Sequence, residues 1–193
     1  MFENYETFLA VLDKKLKQFF EQQKEYVCCK RGCSFCCEEG CYPASNIEYL
    51  YIKSAMDRLD KDLQERIKDE IKRLKEQKEK ERGDKKWLYK CPFLIDNVCS
   101  VYNNRLIVCR TFGIPYFNDE GKIKTPFCME RGLNYHQVYD PAIHKFSDEK
   151  FRLSGFKNEP LAYNLSKKFL YNSKLAELTN MHFGEDKALI DWF

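Results

Sequence analysis

Apolar residues recur at spacings of three and four over residues 3–25, where Phe8, Leu12, Leu16, Phe19 and Phe20 share one face and lysines and acids fill the other. That pattern predicts an amphipathic helix. A second helix has a readable start. Ser45 is a good N-cap, Glu48 three residues later makes a capping box, and Pro43 closes the turn upstream. Ile47, Leu50, Tyr51, Ala55, Leu59, Leu63, Ile67, Ile71 and Leu74 then continue the apolar stripe. One long charged helix is therefore expected over residues 45–82, stopped by Gly83 and Asp84. Its polar face carries the acid-before-base pairs Asp57–Lys61, Asp62–Arg66, Asp69–Arg73 and Glu76–Lys80, each worth about 0.3 kcal/mol. The bland expectation is a solvated helix with a narrow buried stripe. The alternative is a partner-binding coiled-coil arm, with Leu63, Ile67, Ile71 and Leu74 as its seam.

Beyond residue 86 the period changes. Trp87-Leu88-Tyr89 and Phe93-Leu94-Ile95 read as short extended segments, with Asp96-Asn97 as a turn before Val98. Asn118-Asp119-Glu120-Gly121 reads as a second turn, between Tyr116-Phe117 and Lys122-Ile123. Small hairpins presenting Cys91, Cys99, Cys109 and Cys128 are expected here. From about residue 158 the chain is expected to be helical, with Leu161, Leu165, Phe169 and Leu170 as its buried stripe. The fold class expected is thus mainly α with small β-hairpins, around a metal-stabilised cysteine-rich core with a long charged helix. The organisation expected is a single domain over residues 1–193. Within it, residues 26–130 form the cysteine core, 45–82 the helix and 131–193 a C-terminal extension.

Composition narrows the class. The chain has 193 residues, enough for a real core, and its 44% hydrophobic and 15% aromatic content exclude disorder. A formal charge of +3 gives no reason to expect nucleic-acid binding or a polybasic membrane patch. No apolar run is long enough to span a bilayer, and the start, Met1-Phe2-Glu3-Asn4-Tyr5-Glu6, lacks a signal-peptide layout. A cytoplasmic location is expected.

The ten cysteines change the picture. They are Cys28, Cys29, Cys33, Cys36, Cys37, Cys41, Cys91, Cys99, Cys109 and Cys128, and six of them fall within fourteen residues. Disulfides are disfavoured in a reducing cytosol, so clustered thiolates read as soft-metal ligands. Short spacings let one turn of backbone aim several sulfurs at a point, and Gly32 supplies the left-handed freedom such a turn needs. Adjacent Cys36 and Cys37 should diverge, by about 100° on a helix, so they are not expected to serve one ion as equals. Lys30, Arg31, Arg105 and Arg110 are candidates to offset thiolate charge, Arg110 most of all because it adjoins Cys109. His136, His144 and His182 lie outside the cysteine motifs, and no serine–histidine–aspartate or paired-carboxylate signature stands out.

The ordered motifs resemble the YkgJ-type cysteine-cluster family, described as zinc- or iron-chelating. The residues that carry the likeness are Cys33-x2-Cys36-Cys37, Ser45-Asn46-Ile47-Glu48, Cys91-Pro92-Phe93-Leu94, Cys99-Ser100-Val101-Tyr102, Arg105, Cys109-Arg110-Thr111-Phe112-Gly113 and the trailing Cys128. Two positions depart from the family pattern. The first gap, Cys29-x3-Cys33, is one residue longer, which leaves Cys28 or Cys29 as the first ligand, and Leu106 stands where the family has Pro. Flagellin lysine N-methylases look similar over this domain, although no glycine-rich nucleotide loop supports methyl transfer here.

The ligand set expected is Cys29, Cys33, Cys36, Cys37, Cys91, Cys99, Cys109 and Cys128, holding zinc or iron, the latter as an iron–sulfur cluster. The leading functional expectation is a metal-binding protein. The alternatives are a metal-dependent or iron–sulfur protein-modifying enzyme, by resemblance, and a metal-stabilised module for an unknown protein partner.

Overall fold

The computed structural model describes residues 2–30, 32–81 and 87–193. In chain order the helices are α1 (Glu3–Gln22), α2 (Phe35–Glu38), α3 (Asn46–Met56), α4 (Lys61–Lys80), α5 (Ile107–Thr111), α6 (Asp148–Ser154), α7 (Lys167–Tyr171) and α8 (Lys174–Leu178). The strands are β1 (Pro43–Ser45), β2 (Leu94–Ile95), β3 (Val98–Cys99), β4 (Tyr116–Phe117), β5 (Ile123–Lys124), β6 (Tyr139–Asp140), β7 (Lys145–Phe146) and β8 (Asp186–Ala188). They form four antiparallel pairs, β1–β8, β2–β3, β4–β5 and β6–β7. The mainly helical class with small strand pairs is as expected. Among the described residues no helix is long and apolar enough to cross a membrane.

The chain divides into two compact units, residues 1–31 with 110–181, and residues 32–109 with 182–193. Both internal divisions at 31/32 and 109/110 fall inside the stretch 26–130.

In the first unit, α1 buries Tyr5, Phe8, Leu9, Leu12 and Leu16, the face its sequence period foretells, whereas Phe19 and Phe20 are half-buried. Phe19 stacks on Tyr163 with ring centroids 4.0 Å apart, and Tyr26 stacks on Tyr135 at 5.0 Å. Buried Gln23 ties the tail down by accepting from the Leu161 amide at 2.9 Å and the Tyr135 hydroxyl at 3.3 Å. The Asn118 turn forms as expected, its side chain accepting from the Glu120 and Lys122 amides. The continuous tail helix does not form. Residues 158–178 hold only α7 and α8, each opened by a serine N-cap, Ser166 and Ser173, which restarts the helix. Leu165 and Leu170 are buried there, but Leu161 and Phe169 are exposed.

In the second unit the capping box is present. The Ser45 amide and hydroxyl both donate to one Glu48 oxygen, at 2.9 and 2.8 Å. Pro43 and Ser45 also form β1, which pairs with β8 in the register Pro43–Ala188 to Ser45–Asp186. The long helix expected over residues 45–82 is two helices. The first helix ends at Met56 with Asp57 as its C-cap, and Asp60 starts α4 as an N-cap, its carboxylate accepting from the Leu63 amide at 2.9 Å. The expected stop at Gly83 and Asp84 lies outside the described residues. Because the break separates Asp57 from Lys61, Asp57 pairs instead with Lys53. Arg66 pairs with Asp96 across the unit, and Arg73 with Glu70. The seam is not available to a coiled coil. Ile67, Ile71 and Leu74 are 0%, 6% and 1% exposed, buried in the unit's own core with Phe93, Leu94, Leu189 and Ile190.

Candidate metal centre

Each cysteine-bearing segment of the second unit is fixed by local rules. Asp96 and Asn97 both take positive φ, 50° and 60°, the two left-handed positions of a tight hairpin turn between β2 and β3. That turn sets Cys99, which pairs with Leu94. Cys109 arrives differently from expectation, on the short helix α5, and Cys128 sits on a 3-10 turn, Phe127–Arg131, so neither is presented by a hairpin. The second Glu48 oxygen accepts the Ile107 amide at 2.8 Å, two residues before Cys109. One buried carboxylate therefore caps α3 and orients the start of α5. The sequence announces only the first of these roles.

Cys36 and Cys37 lie on α2. The backbone binds this helix to the second cysteine group, since the Cys91 amide donates to the Cys37 carbonyl at 2.8 Å. The single O–H of Tyr42 is shared between the carbonyls of Cys36 and Tyr89, at 3.3 and 3.2 Å. Although adjacent, the Cys36 and Cys37 sulfurs are only 3.9 Å apart. Two zinc–sulfur bonds at a tetrahedral angle would hold sulfurs about 3.8 Å apart. The two sulfurs thus lie close together in spite of the divergence expected of neighbouring helical residues.

Four thiols of this unit act on one another. The charges of Cys109, Cys37 and Cys99 all bear on Cys91, and those of Cys37 and Cys99 on Cys109. Cys91, Cys99 and Cys109 line one small cavity of about 20 Å³ with Tyr42, Phe93 and Arg105. Burial is the chief cause that raises the Cys91, Cys99 and Cys109 thiols above the ordinary range. Cys109 is half-buried as a residue and lines this cavity. Cys37 moves the other way. The Cys36 thiol hydrogen-bonds to it and lowers it, outweighing burial. Arg105 is the cation of this cluster, and its charge favours the thiolates of Cys99 and Cys109.

Other expected participants have different places. Cys33 is exposed on the turn that follows Gly32, whose φ of 90° is left-handed as expected. Cys29 and Cys128 belong to the first unit. There the Cys29 sulfur accepts from Asn134 Nδ2 at 3.1 Å, and Cys128 is buried in the core. Asn134 also donates to the Gly113 carbonyl at 2.8 Å and accepts from the Cys28 amide at 2.7 Å, a role no sequence motif marks. Arg110, expected to offset thiolate charge, is 6% exposed and pairs with Asp13. Arg31 lies outside the described residues. His136 is exposed and bonds the Leu133 carbonyl through Nδ1.

The donor chemistry of Cys37, Cys91, Cys99 and Cys109 suits a soft metal: four sulfurs, one apolar cavity and one nearby cation. Among the described residues, no group of three or more His, Cys, Asp or Glu side chains is arranged to hold a metal ion. No protein-family model, curated protein or solved structure matches the chain.

Proposed function

We propose that this is a metal-binding protein whose centre is built from Cys37, Cys91, Cys99 and Cys109, with Cys36 beside it, and takes zinc or iron. The observation that carries the reading is the shared cavity that three cysteines from separate segments line beside Arg105, with Cys37 near enough for its charge to bear on Cys91 and Cys109. Thiols gathered in an apolar core without disulfide pairing gain most from a soft cation, which exchanges four neutral, poorly solvated S–H groups for strong metal–thiolate bonds. Cys37, Cys91, Cys99 and Cys109 would hold the ion as thiolates, so binding would release their protons. Since these residues also pack on the unit's core, occupancy would stabilise that unit's fold.

Membership of the YkgJ-type family is part of this proposal and rests on the cysteine motifs in their order. Of the eight residues the resemblance implies, the proposal keeps these four as the centre. A cytoplasmic location fits cysteines that form no disulfides.

The test is anaerobic purification without chelator, followed by elemental analysis and an absorption spectrum. One zinc per chain, or a visible chromophore with matching iron, is expected. A protein with negligible metal that gains none on incubation with zinc or ferrous iron overturns the reading. Serine variants of Cys91 and Cys109 should abolish binding, whereas Cys28→Ser should not.

A further inference from the structure

We infer that the Tyr42 hydroxyl is a positioning group for the thiol cluster, fastening the short cysteine helix to the segment that carries Cys91. The inference rests on the metal reading above and deepens it.

The geometry is that of a clasp. The single O–H is shared between the Cys36 carbonyl at 3.3 Å and the Tyr89 carbonyl at 3.2 Å. Cys36 precedes Cys37, and Tyr89 lies two residues before Cys91. With the direct bond from the Cys91 amide to the Cys37 carbonyl, three contacts join the two segments, two of them through one oxygen.

The tyrosine itself is firmly held. Its residue is 5% exposed, its carbonyl accepts from the Leu189 amide at 2.8 Å, and its ring meets that of Tyr89 edge-on at 5.2 Å. Its ring also lies against Gly40, where an added Cβ would fall 2.8 Å from Cζ and 2.9 Å from the hydroxyl oxygen. A side chain at position 40 would push the clasp out of place. Gly40 in turn exchanges both backbone hydrogen bonds with Tyr89, at 3.0 Å each.

The hydroxyl also lies where the sulfur charges converge. Tyr42 lines the cavity beside Cys91, Cys99 and Cys109, and the charges of Cys91, Cys37, Cys109 and Cys36 all bear on it.

The test is cobalt(II) titration of the full chain, read by the thiolate-to-cobalt absorption band. Tyr42→Phe keeps the ring and removes the hydroxyl. It should weaken cobalt binding 10–100-fold, the usual cost of losing an outer support of a metal ligand, and should shift the band. Trp192→Phe is the control. It removes the 2.9 Å bond from Trp192 Nε1 to the Ala44 carbonyl in the same unit, so it should lower the melting temperature with the band and affinity unchanged. Wild-type affinity and spectrum in Tyr42→Phe, or an equal loss in Trp192→Phe, overturns the inference. Should Tyr42→Phe fail to fold, Gly40→Ala must reproduce the weakening, and wild-type binding by Gly40→Ala overturns it equally. A wild-type chain with no thiolate-to-cobalt band defeats the metal reading itself, and this inference with it.

Discussion

The Glu48 carboxylate accepts the amide of Ile107, 59 positions along the chain, at 2.8 Å, while its other oxygen holds the amide and hydroxyl of Ser45. A side chain 1% exposed thus serves three donors from two helix starts. Removing it leaves those donors buried without an acceptor, so Glu48→Ala should destabilise the second unit by about 3 kcal/mol or more. Glu48→Gln, which keeps an oxygen, should cost less. Urea denaturation followed by fluorescence measures both, and equal, small losses would contradict the account.

The four clustered thiols should differ in reactivity. Only a thiolate is nucleophilic, and Cys37 is lowered by its Cys36 neighbour, whereas burial raises Cys91 and Cys109. In metal-free protein, Cys37 should therefore be alkylated by iodoacetamide at a lower pH than either. Mass spectrometry across a pH series reads the order, and simultaneous modification of the three would refute it.

Stability should fall in alkali. Burial raises the tyrosine hydroxyls of Tyr42, Tyr89 and Tyr135, and pushes Tyr26 up to about 12. The folded state then keeps protons that the unfolded chain gives up near its ordinary value of about 10. The stabilisation is complete below that value and is lost as pH rises through the folded pKa. Melting temperature should decline from about pH 10 upward, with a late, cooperative rise in tyrosinate absorbance. A gradual rise centred near pH 10 would be the contrary result.

The α4 seam makes a fourth case. Ile67 is fully buried in its own unit's core, so Ile67→Ala should cost about 2–4 kcal/mol and leave the hydrodynamic size unchanged. A change in oligomeric state without a loss of stability would return the seam to a partner helix.

Gly113 supplies a fifth. Its φ of 107° strains any other residue, and an added Cβ would lie 3.1 Å from Asn134 Nδ2 and 3.4 Å from the Cys29 sulfur. Gly113→Ala should destabilise the first unit by about 2 kcal/mol or more, seen as a lower melting temperature. An unchanged melting temperature would contradict this.

Much of this was legible in the residues themselves. Ser45 with Glu48 declared a helix start, Asp96-Asn97 a tight turn, and the spacing of Phe8, Leu12 and Leu16 a buried face, because capping, left-handed turns and helical periodicity are local physics. The errors have local causes too. Asp60 is as good an N-cap as Ser45, yet an unbroken apolar stripe outweighed it in the reading. Ser166 and Ser173 broke the tail in the same way. What stayed hidden was long-range. Nothing near Glu48 foretells Ile107, nothing near Cys29 foretells Asn134, and Arg110 beside Cys109 in sequence belongs to Asp13 in space.

The pairing of β1 with β8 places a constraint on how the thiol-bearing unit is made. Strand Pro43–Ser45 has its partner in Asp186–Ala188, and the core beneath the cysteines needs Leu189 and Ile190. A ribosome adding about 5–20 residues per second takes about 4–17 s to travel from Cys109 to Phe193. Over that interval Cys37, Cys91, Cys99 and Cys109 have all been synthesised while the unit that will shelter them is incomplete. The nascent chain thus passes through a window in which these thiols are made but not yet sheltered, because the strand Asp186–Ala188 is still to come.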